Sequence, residues 1–215
     1  MRDGDRLTRD EFLRRWEAMP DLKHAELIDS IVHQPSPVST THSDHHGPLT
    51  GWLFYDVTRT PGCWAGVEGT WLMENDVLQP DITLRILPEN GGRSQQQEGL
   101  SAGTPELIVE VSLSSAALDL GPKARLYERA GVAEYITALV SPERIVWREQ
   151  LVDGRYREIA RDGGGILRSR VFPGLWLDSD ALWRRDARRL VDCVDRGFAT
   201  PEHGEFVRRL ESRRR

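Results

Sequence analysis

The stretch Glu106-Leu-Ile-Val-Glu-Val-Ser-Leu113 is a near-continuous apolar run with one charged side chain, Glu110, in its interior. Runs of this kind are typical of a central strand that is buried on both faces. A helix is predicted directly after it, over Asp119 to Ala130, with proline near its first turn and glycine just past its end. A further strand is predicted over Glu134 to Val140. This order predicts a mixed α/β or α+β sheet with helices packed against it.

The residues before this strand predict a helix, an extended segment and a second helix. Thr8-Arg-Asp-Glu11 has the spacing of a capping box and predicts a first helix over Arg9 to Met19. We expect Ala25 to Val32 to be extended. Residues 40 to 57 are predicted to be helical, although Gly47-Pro48 should break or kink that helix near its middle.

A hairpin and a loop are predicted between the second helix and the central strand. Trp64 to Met73 and Val77 to Ile86 have strand character and flank the turn Glu74-Asn-Asp76. Leu87 to Thr104 contains Pro, Gly, Ser and three consecutive Gln, which predicts a long exposed loop.

The last part of the chain predicts more strands and then helices. The strands lie over Arg144 to Gln150 and Arg155 to Ala160, and the amphipathic helices over Ser179 to Arg196 and Pro201 to Arg213. We therefore expect one domain over residues 1–177 and a helical, arginine-rich extension over residues 178–215.

Composition limits the classes of function. With 29 Lys and Arg against 34 Asp and Glu, the net charge is -5, which argues against a protein that coats nucleic acid through bulk electrostatics. No apolar run approaches the length of a membrane span, and the polar start lacks the apolar core of a secretory signal. We expect a cytoplasmic protein with no membrane partner. Cys63 and Cys193 are expected to be free thiols.

Asp81 and Glu110 are the first candidate site residues. Each lies on the polar-capable side of a predicted strand, and side chains on neighbouring strands can converge. An unpaired buried carboxylate is unfavourable by several kcal/mol, roughly, so Glu110 should have a cationic partner. The residues alone leave an arginine and a metal ion about equally favoured as that partner.

Lys123 is the third candidate, because it is one of only two lysines in an arginine-rich chain. It falls in the first turn of the helix that follows the Glu110 strand. A carboxylate pair that holds Mg²⁺, together with an ammonium, is the minimal set for hydrolysing a phosphodiester. Lys123 can equally form a surface ion pair with Asp119, four residues before it.

Two further groups of residues leave alternatives open. His42, His45 and His46 have a spacing that can bind zinc on one helix face, but solvated histidines, or one histidine lining a cleft, are favoured because no cysteine lies nearby. The arginines of residues 184–189 and 208–215 can contact phosphate, although their alternation with Asp and Glu favours a solvated helix face.

A set of short stretches carries a family resemblance. They are Glu26-Leu-Ile-Asp29, Pro35-Ser-Pro-Val-Ser-Thr-Thr-His42, Leu78-Gln-Pro-Asp81, Thr104-Pro-Glu-Leu-Ile-Val-Glu-Val111, Ser114-Ser115 with Asp119, Lys123 and Tyr127, Ala130-Gly-Val-Ala-Glu-Tyr135, and Val171-Phe-Pro-Gly-Leu175. In this order, over about residues 8 to 180, the chain resembles the Uma2 family of restriction-endonuclease-like proteins, within the PD-(D/E)xK nuclease superfamily.

The resemblance implies a restriction-endonuclease-like mixed sheet in which Asp81 and Glu110 are metal ligands. It implies that Lys123 is the catalytic lysine, moved onto the helix, since Ser112 stands where the superfamily usually has lysine. Glu26 and His42 match an acidic residue and a histidine of the family and are auxiliary candidates.

The chain departs from the family pattern at two places. Ser30 replaces the glycine that usually follows the Glu-Leu-Ile-Asp run, and Tyr135-Ile-Thr-Ala replaces a Tyr-Trp stretch. Neither departure touches the three candidate catalytic residues.

The function expected from the resemblance is hydrolysis of DNA phosphodiester bonds by a Mg²⁺-dependent or Mn²⁺-dependent endonuclease, with a homodimer as an option. The main alternative is a nuclease-fold module that has lost turnover and serves in binding or assembly. A third hypothesis, a metal-dependent hydrolase of a small phosphoester, shares the same site residues.

Overall fold

A computed structural model describes residues 1–35 and 39–214. Part of the Pro35 to His42 stretch, residues 36–38, therefore lies outside the described residues. The helices are α1 (Arg9–Glu17), α2 (Thr40–Arg59), α3 (Ala116–Leu118), α4 (Ala124–Ala130), α5 (Ser179–Trp183), α6 (Ala187–Phe198) and α7 (Pro201–Arg213). The strands are β1 (Glu26–Ile28), β2 (Ile31–His33), β3 (Cys63–Val67), β4 (Trp71–Met73), β5 (Asp76–Leu78), β6 (Ile82–Ile86), β7 (Gln95–Gln97), β8 (Leu100–Ala102), β9 (Leu107–Ser112), β10 (Glu134–Val140), β11 (Glu143–Gln150), β12 (Tyr156–Glu158), β13 (Ile166–Arg168) and β14 (Trp176–Asp178).

Two six-stranded mixed sheets and one two-stranded sheet form the β-structure. The N-terminal sheet has the order β2-β1-β5-β4-β8-β7, and the central sheet has the order β12-β11-β10-β9-β6-β3. In the central sheet β9 runs parallel to β10 and antiparallel to β6. The expected α+β fold with a mixed sheet and flanking helices is confirmed, with a second sheet beside the first.

The central strand is buried as its sequence predicts. All six residues of β9 are buried. On one face of the central sheet, Val109 and Val111 pack in a core that α2 and the C-terminal helices complete. On the other face, Ile108 packs with Tyr127 of α4 and Trp71 of the N-terminal sheet. Glu110 therefore lies between α4 and the two sheets, and its site is built from all three.

The predicted hairpin around residues 74–76 is only partly correct. Its turn is present between β4 and β5, but each predicted long strand is two strands that belong to different sheets. The first is interrupted where Glu68 has a φ of 52°, and the second is interrupted at Pro80, which has no N–H for a ladder. The short connections carry the chain from one sheet to the other beside Asp81.

Two other segments differ from their predictions in the N-terminal sheet. Ala25 to Val32 is a tight hairpin, β1–β2, because Asp29 and Ser30 adopt φ values of 48° and 65°. The segment from Leu87 to Thr104 is not a loop throughout, since it forms a 3₁₀ turn and the β7–β8 hairpin, whose second strand pairs with β4.

The helices also differ from their predictions in three places. Of the break or kink predicted at Gly47-Pro48, the break is wrong, because α2 runs through these residues without interruption, and the kink stays a prediction. The helix predicted from Asp119 begins at Ala116, and a π-helical turn over Asp119–Lys123 accommodates Pro122. The helix predicted over Ser179 to Arg196 is two helices, α5 and α6, separated at Arg185.

The C-terminal helices pack onto the central sheet. Leu182, Val194 and Phe206 belong to the same buried cluster as Val109 and Trp147. Both cysteines are buried free thiols, as expected. Among the residues that the structure describes, no helix is both long and apolar enough to cross a membrane.

Candidate active site

Glu110 is placed by the register of the central sheet. Because Val109 pairs with Ile82, Glu110 lies beside Asp81, the residue just before β6. The backbone N–H of Asp81 donates to Oε2 of Glu110 at 3.4 Å. The predicted convergence of Asp81 and Glu110 follows directly from this antiparallel pairing.

Lys123 is the cationic partner of Glu110. Its Nζ lies 2.9 Å from Oε1 of Glu110 and 3.0 Å from Oε1 of Glu26. The distance to Oδ1 of Asp119 is longer, at 3.9 Å, so the predicted ion pair along the helix is the weakest of the three contacts. Lys123 is only 5% exposed. It is therefore not a surface residue whose single partner is Asp119.

Glu26 reaches this cluster from the N-terminal sheet. It is buried in β1, and its Oε1 also accepts a hydrogen bond from the backbone N–H of Gln79 at 2.9 Å. Gln79 lies two residues before Asp81, so the same segment positions both carboxylates. The sequence-predicted residues Glu26, Asp81, Glu110 and Lys123 thus meet in one place.

Asp81 is the most accessible carboxylate of the group. Its side chain is 22% exposed, whereas that of Glu110 is 5% exposed. Its Oδ2 accepts a hydrogen bond from the backbone N–H of Val111 at 2.7 Å and lies 3.3 Å from Nε2 of His42. Oδ1 of Asp81 accepts no hydrogen bond from the described residues.

The three histidines of α2 do not converge on one point. His42 contacts the side chain of Asp81, and Nε2 of His46 lies 3.4 Å from the backbone oxygen of Asp81. The ring of His45 bonds instead to the backbone oxygen of Thr41 at 2.8 Å. The zinc alternative therefore has no support in this arrangement, while His42 does line the candidate site.

Tyr127 and Asp119 complete the surroundings of Lys123, and sequence reasoning gave Tyr127 no role. The Tyr127 hydroxyl donates to Oε1 of Glu110 at 2.9 Å. Asp119 accepts hydrogen bonds from the hydroxyls of Ser112 and Ser115, both at 2.5 Å. The position of Tyr127, four residues after Lys123 on one helix face, is the signal that could have identified it.

Charge is unbalanced within this cluster. One ammonium, that of Lys123, faces the carboxylates of Glu26, Glu110 and Asp119, with Asp81 beside them. Buried charges of one sign without compensation are unfavourable. The cluster can balance this excess by holding protons or by binding a further cation.

The pKa shifts follow from burial and from these pairs. Burial raises the pKa of Glu110 well above its usual range, although Lys123 acts to lower it. Burial acts to lower the pKa of Lys123, but Glu110 and Glu26 outweigh it and raise that pKa well above its ordinary value. The lysine is therefore an ammonium, and burial favours the protonated form of Glu110.

The pair at the exposed side of the site shows the opposite tendency. Burial acts to raise the pKa of Asp81, but hydrogen bonds from His42 and from the Val111 N–H lower it overall. The same hydrogen bond to Asp81 raises the pKa of His42. Asp81 is thus the carboxylate that stays ionised where solvent reaches the cluster.

The donor set fits a hard divalent cation in its chemistry. Asp81 and Glu110 offer carboxylate oxygens, which Mg²⁺ and Mn²⁺ prefer, and the cluster has an excess of negative charge. Among residues 1–35 and 39–214, no three His, Cys, Asp or Glu side chains are arranged as a ready set of metal ligands. A cation here would therefore have two protein ligands and complete its shell from solvent or substrate, as Mg²⁺ often does.

Comparisons with known proteins agree with the fold. A crystal structure of a protein from Anabaena variabilis ATCC 29413, described as "a putative nuclease belonging to DUF820", aligns with a TM-score of 0.64 and 14% identity, over 83% of this chain and 98% of that chain. At this identity the likeness shows the fold alone. Comparison with curated proteins finds no match.

The family is shown by the sequence match. The model of the Uma2 family, described as "Putative restriction endonuclease", matches residues 9–180. This range includes Glu26, His42, Asp81, Glu110 and Lys123 and is well over half of the chain. The protein therefore belongs to the Uma2 family.

Proposed function

We propose that this protein is a metal-dependent endonuclease that hydrolyses DNA phosphodiester bonds. One observation carries the proposal: a buried ammonium, Lys123, is held among Glu26, Glu110 and Asp119, beside a carboxylate, Asp81, that solvent can reach. The descriptions of the Uma2 family and of the Anabaena variabilis structure both name a nuclease, and this supports the same reaction class.

Each residue of the cluster has a distinct role in this proposal. Asp81 and Glu110 would hold Mg²⁺ or Mn²⁺, which would offset the negative charge that develops on the phosphate. Glu110 and Glu26 fix the ammonium of Lys123, which stabilises the same charge and orients the attacking water. His42 holds Asp81 in place through Nε2.

Plasmid nicking in Mn²⁺ or Mg²⁺ tests this proposal. Wild type should convert supercoiled plasmid to nicked or linear forms, and Glu110→Gln should reduce the rate by on the order of a hundredfold or more. Glu143→Gln is the matched control, because Glu143 is exposed at the start of β11. Equal rates for wild type and Glu110→Gln would remove Glu110 from the site.

We also propose that the protein forms a homodimer. Measurement of the molar mass in solution tests this, and the mass of a single chain would contradict it.

A binding module without turnover is the second candidate function. It is favoured by the burial of the cluster, since Lys123 is 5% exposed and already has Glu26 and Glu110 as partners. Such a lysine must be reached by a phosphate before it can act. A protein that binds duplex DNA, does not nick it in either metal, and shows no change in melting temperature with Mg²⁺ or Mn²⁺ would support this function instead.

A further inference from the structure

An exposed group of arginines joins α5 to α6. The segment Arg184-Arg-Asp-Ala-Arg-Arg189, here called the arginine elbow, contains four arginines and one aspartate. All six of its residues are exposed. In a chain with a net charge of -5, this is a local concentration of positive charge.

The backbone of the elbow is unusual at Arg185. This residue has a φ of 56°, a conformation in which glycine is the preferred residue. The N–H of Arg185 donates to Leu182 O at 3.0 Å and that of Asp186 to Ala181 O at 2.9 Å, so Arg185 has the place just after the helix where glycine is commonest. An arginine at a position that favours glycine points to a role for its side chain.

The elbow lies against the first turns of α2, the helix that also carries His42. A guanidinium nitrogen of Arg185, Nη2, is 3.0 Å from Oδ2 of Asp44. Asp44 follows His42 by two residues in the first turns of α2, and His42 contacts Asp81. Because a helix with its side chains is about 10 to 12 Å wide, the elbow and Asp81 lie on two sides of the same helix end.

Much of the charge of the elbow is free to act on a ligand. Arg189 is paired with Asp178 at 2.6 Å, and Asp186 accepts a hydrogen bond from the N–H of Arg189 at the start of α6. Within residues 1–35 and 39–214, Arg184 and Arg188 form no ion pair. The exposed guanidinium groups of Arg184 and Arg188 are therefore unpaired within the described residues. Arg185 adds a third guanidinium, whose partner Asp44 is itself partly exposed.

We infer that the arginine elbow binds backbone phosphates of the nucleic-acid substrate on the flank of the cleavage site, which rests on the proposed function. Clustered guanidinium groups suit phosphate oxygens, because each can donate two parallel hydrogen bonds. Contacts of this kind position a nucleic acid without reading its sequence. The elbow, which lies outside the matched range of residues 9–180, thereby contributes to substrate binding.

Salt-dependent DNA binding tests the elbow directly. The probe is a fluorescein-labelled DNA duplex, titrated with full-length protein in EDTA at several KCl concentrations, so that cleavage does not intervene. For Arg184→Gln/Arg188→Gln we expect about tenfold weaker binding at low salt. The negative slope of log K against log[salt] should become shallower by about 1.8, the value for two phosphate contacts at roughly 0.9 each.

A matched charge control comes from α7. Arg208→Gln/Arg209→Gln removes the same charge from exposed positions. Leu210 O of the same helix accepts a hydrogen bond from the side chain of Asn90. Asn90 follows the last residue of β6, whereas Asp81 precedes its first residue, so this control lies at the opposite end of the strand. We expect this double variant to keep the affinity and the salt slope of wild type. An equal loss in the two double variants would overturn the inference, because it would show a response to net charge alone.

Arg185→Gly separates binding from folding. Glycine suits the positive φ of this position, so the variant should melt at the wild-type temperature or above, yet it should bind the duplex more weakly and with a smaller salt slope. If wild type binds DNA and the elbow variants bind equally well, the inference fails and the proposed function stands. If wild type nicks plasmid in Mn²⁺ but binds no duplex in EDTA, the inference fails and the proposed function stands; if it does neither, both fail.

Discussion

Nζ of Lys123 lies 2.9 Å from Oε1 of Glu110, and both side chains are almost completely buried. Glu110 lies in β9, and Lys123 ends the π-helical turn between α3 and α4. Ser112, two residues after Glu110, donates a hydrogen bond from its hydroxyl to Asp119, whose Oδ1 lies 3.9 Å from the same ammonium. A helical turn, not the strand of the glutamate itself, therefore places the lysine next to Glu110.

Removing this ammonium should destabilise the fold. Lys123→Met leaves Glu26 and Glu110 buried without their cation, so we expect the free energy of unfolding at pH 8 to fall by about 3 to 5 kcal/mol. The loss should be smaller at pH 5, where carboxyl groups take up protons. Urea denaturation measures both values. Lys23→Met is the control, because Lys23 is exposed, and a loss as large in that variant would contradict the prediction.

Mg²⁺ should stabilise the protein through Asp81. A cation that binds only the folded state at ten times its Kd adds about 1.4 kcal/mol, so the Tm of wild type should rise in millimolar Mg²⁺. Asp81→Asn should abolish that rise, whereas Asp153→Asn in the exposed β11–β12 turn should keep it. Thermal melts with Mg²⁺ and with EDTA provide the test, and an equal rise in Asp81→Asn would exclude Asp81 as a ligand.

The His42–Asp81 pair should make stability depend on pH. The hydrogen bond to Asp81 raises the pKa of His42 in the folded protein above its ordinary value of about 6.5. Its contribution is therefore fully present below pH 6.5 and is lost as pH rises through the folded-state pKa. The stability difference between wild type and His42→Gln should shrink over this range. A difference that grows as pH rises would reverse the assigned sign.

Asp56 should destabilise the protein at alkaline pH. Burial raises its pKa to about 7, and its carboxylate oxygens find no hydrogen-bond partner among the described residues. Because the unfolded-state value is about 3.9, stability is lost as pH rises from there through 7. Asp56→Asn should therefore raise the free energy of unfolding at pH 8 by roughly 1 to 3 kcal/mol, with a smaller gain at pH 5. The absence of a gain at pH 8 would contradict an unfavourable buried carboxylate at this position.

The turn between β1 and β2 offers a simple stabilising change. Ser30 has a φ of 65°, which glycine adopts without strain, and the Uma2 resemblance places glycine there. We expect Ser30→Gly to raise the free energy of unfolding by about 0.5 to 1 kcal/mol, as measured in urea. Ser30→Ala, which keeps the strained φ, is the control and should bring no gain. Equal effects of glycine and alanine would show that backbone strain is not the cause.

The candidate site was predictable where it depends on local pattern. Glu110 is identifiable because a charge inside an apolar strand needs a partner, and Lys123 because it follows that strand at the start of a helix. Their roles in catalysis stay predictions. The approach of Glu26 was not derivable from spacing, since β1 belongs to the other sheet and reaches Lys123 only through tertiary packing.

Local sequence pattern was enough to predict β9, its buried glutamate, the first helix and the mixed α+β class, because hydrophobic period and capping act over neighbouring residues. Long-range packing sets how the strands are divided between two sheets and allows α2 to continue through Pro48. The first depends on pairing between residues far apart in the chain. The continuation of α2 depends on Leu49 and Trp52, which pack into the central core. The free energy gained by burying this apolar face outweighs the loss of the backbone hydrogen bond that proline removes.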